Sequence, residues 1–470
     1  VTNFDPQPSR RILLAGAGAV GLGGLAGEAL AAAPAAPLLN PVVRQRADAQ
    51  VFRHSDGYYY LTGSVPEYDR LIVRRSRTLA GLASAEEAVI WRRPAEGKLG
   101  GYIWAPELHW IDGAWHMYFA AGDKGQPFRI RTYVLRCDGR NALTGTWSLL
   151  GEVQTPWDSF NLDSTIFHHK GVRYFCWAQK EPGIETNSNL YLAPLATPLT
   201  LGRPPVRLTV PTLDWEVRGF KVAEAPAVLI RNGRVFIAYS ASATDDRYCL
   251  GLLTADADAD LMSEASWTKS PQPVFVSSEE TGVWGPGHNS FTVDEQGRDV
   301  LVFHGRDYKA IKGNPLFDPN RHTRVQRLYY KADGTLDFGV PAGAGEIPDR
   351  FSPLDRSGAF LRVEGEAVGV GEGPLAATQL RQKAGPAGTV TLEPILRPGH
   401  MLRVEAGKVV VAPAASGDRA AVFKRVKGLA GRGVSFQASD GGYLGHRDGA
   451  VVVGPARDAR ARAAATFVVS

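Results

Sequence analysis

At 470 residues the chain has room for two or three domains, and its 44% apolar content is ordinary for a globular protein. The net charge of +5 is uneven: residues 356–470 carry 16 Lys+Arg against 9 Asp+Glu, and the remainder 37 against 39. The basic residues are scattered singly, which argues against nucleic acid, and no apolar run beyond the first 40 residues is long enough to span a membrane.

The first segment, residues 1–36, reads as a secretory signal. Arg10 and Arg11 precede an apolar, Gly/Ala-rich stretch and small residues at A-x-A sites, and the arginine pair suggests the twin-arginine route. A short Pro/Ala link runs from Pro34 to Pro41.

From residue 42 to about 345 one pattern occurs five times. The copies are DAQVFRHSDGYYYLTGS from Asp48, WAPELHWIDGAWHMYFAAG from Trp104, DSTIFHHKGVRYFCWAQ from Asp163, EAPAVLIRNGRVFIAYSAS from Glu224 and HNSFTVDEQGRDVLVFHGR from His288. Each is a head residue, a strand, a turn with a glycine (Gly57, Gly113, Gly171, Gly233, Gly297) and an aromatic-rich strand. The heads lie 56, 59, 61 and 64 residues apart, a period that predicts a five-bladed β-propeller. Equivalent positions then converge on the axis, so Asp48, Asp163, Glu224 and His288 meet in one funnel with Trp104 as the fifth wall. One short helical turn is predicted at LMSEASWTK, from Leu261.

The stretch Ala342 to Gly358 reads as a linker. Beyond it a second repeat has strands at Phe360, Met401 and Tyr443, spaced 41 and 42 residues apart, with apolar anchors at Leu380, Phe423 and Phe467. Three such repeats predict a β-trefoil over residues 356–470, with a generic β-sandwich as the alternative. The fold class is therefore all-β. Cys137, Cys176 and Cys249 are too few and too apolar in setting for a disulfide framework, and no Cys/His spacing resembles a zinc site.

Paired carboxyl groups in a funnel suit the cleavage of a glycosidic bond, one protonated and the other ionised. Glu224 sits among Val222, Ala223, Ala225 and Pro226, where desolvation raises its pKa and suits an acid. Asp163 is placed to hold that proton on by like-charge repulsion. His288 could orient a water or hold a cation through water, or be an ordinary core histidine. Trp104 offers a ring face for a sugar, or core packing; Arg306 could reach sugar hydroxyls or tune a carboxylate, or lie on the surface.

RADAQVF, IWAPELHWIDGAWHMYFAAG, NLDSTIF, KVAEAPAVL and GPGHNSF together resemble glycoside hydrolase family 43 over residues 42–345. The resemblance implies a five-bladed propeller that hydrolyses furanosides or xylosides with inversion. By position it makes Asp48 the general base, Glu224 the general acid and Asp163 the carboxylate that tunes the acid. His288 becomes the axial histidine, linked through water to a calcium or other cation; no cofactor is required for the chemistry. SVPEYDRLIVRRSRTLAGL, CLGLLTA and DPNRHTRVQ resemble the exo-acting α-1,5-L-arabinofuranosidases, and GLAGRGVSFQASDGGYLGH with AAATFVVS resembles the arabinofuranose-binding trefoil of carbohydrate-binding module family 42. There His446 is the expected sugar ligand and Asp458 its partner. The expected protein is a secreted monomer acting on arabinan and related plant polysaccharides. A β-xylosidase or arabinoxylan-debranching enzyme is the alternative, and a non-catalytic arabinan-binding protein the reading from another class. Two departures from the family pattern stand out: Ala49 follows the base where proline is usual, and Ala225 follows the acid where glycine is common.

Overall fold

The computed structural model describes residues 37–414 and 417–470, so the signal expected at residues 1–36 lies outside the described residues. Five antiparallel sheets follow one another along residues 47–327. Their first strands are Ala47–Arg53, Ile103–Ile111, Asn161–His169, Ala223–Arg231 and Trp284–Val293. These pack side by side in a closed ring, the fifth against the first, which makes a five-bladed propeller.

Local sequence explains each blade. Strands of near-continuous apolar and small residues bury both faces between neighbouring blades. The first and second strands are joined by tight turns whose glycines all have positive φ, from 70° at Gly233 to 81° at Gly57 and Gly113. Left-handed backbone at these turns carries no side-chain penalty for glycine.

The ring is closed from its N-terminal end. Thr323, in the outermost strand of the fifth sheet, donates to the Val43 carbonyl at 2.9 Å, and Val42 donates back to Thr323 at 2.9 Å. Asn40 imitates a strand partner: its Oδ1 accepts from the Val325 N–H and its Nδ2 donates to the Val325 carbonyl, both at 2.8 Å.

The segment read as a linker instead carries two strands. Gly345–Glu346 pairs with Leu39–Asn40, and Asp349–Pro353 joins the C-terminal sheet. That sheet has twelve strands. Six of them, from Asp349–Pro353 to Phe467–Val469, form a closed cycle of pairings. Three hairpins, at Phe360–Gly371, His400–Pro413 and Tyr443–Gly454, touch one another through their second strands. The three anchors Leu380, Phe423 and Phe467 are fully buried in its core. The predicted helical turn appears as a 3-10 turn at Glu264–Ser266, and a short helix at Ala459–Ala464 was not expected. All three cysteines are buried and unbridged.

Candidate active site

Each first strand carries a β-bulge near its head. The register shifts between Ala47 and Gln50, Trp104 and Glu107, Leu162 and Thr165, Glu224 and Ala227, and Gly287 and Ser290. Within each bulge one residue has positive φ: Asp48, Ala105, Asp163, Ala225 and His288. Left-handed backbone at a non-glycine residue costs on the order of 1–3 kcal/mol, and such strain gathers at functional sites. These five are the structurally equivalent positions. Trp104 and Glu224 therefore stand one residue ahead of the true repeat position, a correction to the equivalence read from sequence. A bulge re-aims neighbouring side chains, so Glu224 still faces the others.

The carboxyls converge on His288. Its Nδ1 lies 3.4 Å from Asp48 Oδ1 and 3.8 Å from Asp163 Oδ2. Four further residues stand around Asp48 and Glu224, and sequence reasoning did not single them out. Arg321 Nη1 donates to Asp48 Oδ1 at 3.2 Å while its Nη2 donates to Tyr68 Oη at 2.8 Å. The Asp48 backbone N–H donates to His304 Nδ1 at 3.2 Å, which fixes the left-handed backbone of that residue. Tyr248 lies ring to ring on His304, centroids 5.6 Å apart, and donates from Oη to Glu224 Oε1 at 2.7 Å. Arg321, His304 and Tyr68 lie within stretches quoted above (DPNRHTRVQ, the copy from His288 and SVPEYDRLIVRRSRTLAGL) and Tyr248 directly precedes CLGLLTA, but nothing local in those strings marks them.

The charges divide the site in two. Burial opposes ionisation of Asp48, yet interactions led by the Arg321 guanidinium outweigh it and hold the carboxyl well below the usual range. Burial pushes His288 down and takes His304 to about 3, so both imidazoles are neutral near pH 7. Glu224 goes the other way. Burial raises it, the Tyr248 hydroxyl opposes that, and the Asp48 charge adds to the rise, to about 7. Asp163 is driven well above its ordinary value by burial first and by the charges of Glu224 and Asp48 next. The sequence reading made Asp163 a charged neighbour of a protonated acid. Instead Asp163 accepts only a backbone N–H from Ala225 where Asp48 accepts from a guanidinium, which does not offset burial and the neighbouring carboxylates, so it resists ionisation as well. Both carboxyls are thus held toward the protonated form.

Trp104 is buried and stacked on Tyr102 at 5.4 Å, with the edge of Tyr68 at 5.7 Å and Phe128 at 6.0 Å. The most exposed rings of this cluster are Phe128 and Phe317, 54% and 49% exposed, with Tyr102 partly buried, so Trp104 backs an aromatic wall rather than presenting its own face. Arg306 does not reach the funnel as a free guanidinium. It is 1% exposed and donates to the carbonyls of Thr244 and Pro315 and to Asp318, bracing two loops.

In the C-terminal sheet His446 Nε2 pairs with Asp355 Oδ1 at 2.9 Å. The expected partner, Asp458, instead caps the short helix, its Oδ1 accepting from the Ala461 N–H at 2.8 Å. All three carboxyl and imidazole groups line one surface pocket with Tyr443 and Arg460. Among the described residues, no group of three or more His, Cys, Asp or Glu side chains is arranged to hold a metal.

One buried carboxylate kept ionised, facing a carboxyl pair that keeps a proton, is what acid–base cleavage of a glycosidic bond requires. Fold and site together define a glycoside hydrolase. Residues 38–336 match Glycosyl hydrolases family 43, and the chain belongs to that family. It is 52% identical over 336 residues to an extracellular exo-alpha-(1->5)-L-arabinofuranosidase of Streptomyces avermitilis, covering 71% of this chain and 70% of that protein. It is 48% identical over 436 residues to alpha-L-arabinofuranosidase 43 of Humicola insolens, covering 88% of this chain and 90% of that one. The crystal structure of an alpha-L-arabinofuranosidase from Lactobacillus brevis superposes with a TM-score of 0.63 at 49% identity, covering 65% of this chain and 97% of that one.

Proposed function

We propose that the protein is an exo-acting α-L-arabinofuranosidase that releases arabinose from α-1,5-linked arabinan with inversion. The observation that carries the chemistry is the split between Asp48, held ionised by Arg321, and Glu224, kept protonated by burial. Asp48 takes a proton from the attacking water, and Glu224 delivers one to the departing glycosidic oxygen. Asp163 shares the proton of Glu224 and orients it. The substrate follows from the relatives, whose names specify arabinofuranosides and, for the Streptomyces protein, an α-1,5 linkage and an extracellular setting. Secretion by the twin-arginine route rests on Arg10 and Arg11. A calcium or other cation beside His288, held through water, belongs to the same proposal, and no step depends on it.

Product analysis on linear arabinan tests this reading. Arabinose alone is expected as the early product, and NMR during the first turnovers is expected to show the β-anomer. Oligosaccharide products, a first-formed α-anomer, or faster cleavage of an aryl xyloside than of arabinobiose would each overturn it.

We further propose that the C-terminal unit is a β-trefoil that binds arabinofuranose. The closed six-strand cycle and three mutually touching hairpins support the fold, and the pocket around His446 supports a sugar site. A weak tethered site raises the local concentration of a polymer but leaves the chemistry on a short substrate unchanged. His446→Ala is therefore expected to keep the rate on arabinotriose and lose activity on insoluble or branched arabinan. The basic charge of this region offers a rival, nonspecific attraction to the uronates of pectin. If polymer binding vanishes in about 0.5 M NaCl, where charge attraction is screened, and arabino-oligosaccharides do not compete, the unit is an electrostatic anchor instead.

A further inference from the structure

Two hydrogen bonds and one close approach lead from the axis to Glu224. The His288 backbone N–H donates to Ser240 Oγ at 2.7 Å. Ser240, fully buried, accepts that amide with its oxygen, and its hydroxyl lies beside the Tyr248 hydroxyl, to which it can offer its proton. Tyr248 Oη then donates to Glu224 Oε1 at 2.7 Å. Gly287 makes the path possible: a Cβ there would stand 2.3 Å from the Tyr248 ring and 3.3 Å from Ser240 Oγ.

We propose that Ser240 and Tyr248 are positioning residues that determine which oxygen of Glu224 carries the catalytic proton. Oε1 accepts from Tyr248 and so is kept unprotonated; the proton sits on Oε2, the oxygen left for the departing sugar. Successive hydrogen bonds polarise one another, so Ser240 strengthens the hold of Tyr248 on Oε1. The same bond favours the ionised carboxylate, which lets Glu224 release its proton within the working pH range despite its burial. This inference rests on the reading of Glu224 as the acid.

Tyr248→Phe retains the ring that stacks on His304 and removes only the donor. Its kcat/KM on arabinobiose is expected to fall roughly tenfold, in line with loss of a hydrogen bond to a charged group. On an aryl arabinofuranoside with an activated leaving group the loss is expected to stay below about threefold, because little protonation is needed there. The alkaline limb of the pH profile is expected to move to higher pH, since the ionised form has lost its donor. Ser240→Ala, which leaves the tyrosine hydroxyl in place, is expected to shift both readouts in the same direction by less. Equal losses on the two substrates with an unmoved alkaline limb, in either folded variant, would show a merely structural role and overturn the inference. Glu224→Ala is run in parallel. If it fails to discriminate between the leaving groups, the acid assignment itself falls; if it discriminates while Tyr248→Phe does not, only the relay is wrong.

Discussion

Asp48→Ala is expected to lose activity by at least about 10³-fold on every substrate, whatever the leaving group, because water must be deprotonated in each case. Position alone does not give Asp48 this role. Its oxygen is within 3.2 Å of a buried guanidinium, its backbone N–H is held by His304, and its carboxyl stays ionised into acid solution as a result. The sign follows from that. A base depressed well below the usual carboxylate range is active at neutral pH and fails only as pH falls through its lowered pKa. Asp48→Asn should match Asp48→Ala in activity while retaining the fold, and thermal unfolding separates loss of base from loss of structure. A variant with more than about a tenth of wild-type activity on arabinobiose would remove Asp48 from the mechanism.

Glu224→Ala is expected to cost on the order of 10²–10⁴-fold on arabinobiose and far less on an activated aryl arabinofuranoside. An arabinose leaving group departs as an alkoxide unless protonated, whereas an activated phenolate does not need that help. Asp163 supplies the companion test. Because the two buried carboxyls repel when both are ionised, the last proton is held more tightly than either group alone would hold it. Asp163→Asn removes that repulsion, so the alkaline limb of kcat/KM should move to lower pH. Tyr248→Phe should move it the opposite way. An alkaline limb indifferent to Asp163→Asn, with full activity, would return Asp163 to a purely structural role.

Much of the fold was legible because it is written in short-range chemistry. A short strand, a glycine at the turn and a second, aromatic-rich strand occupy under twenty residues, roughly the reach of a hairpin signal. Five copies at one spacing then leave a propeller as the arrangement that buries every strand face. The carboxyls were legible for the same reason, since each sits at the head of a copy. Reading stopped one residue short at Trp104 and Glu224, because a bulge adds a residue to one strand without altering the pattern of residue types. Arg306 and Asp458 were misplaced because a polar side chain does not announce its partner. One is bound to loop carbonyls and an aspartate, the other to the N-terminus of a six-residue helix.

The sequence by itself determined an all-β chain, five blades, three carboxyl groups at blade heads and three buried anchors in a second threefold unit. Only the tertiary structure decided which carboxyl is ionised and which keeps a proton. Arg321 is 273 residues from Asp48, Tyr248 is 24 from Glu224 and Asp355 is 91 from His446. Periodicity and turn chemistry act between neighbours along the chain and can be read there. A pKa depends on burial and on charges within a few ångströms in space, and those neighbours are fixed only when the ring of blades closes.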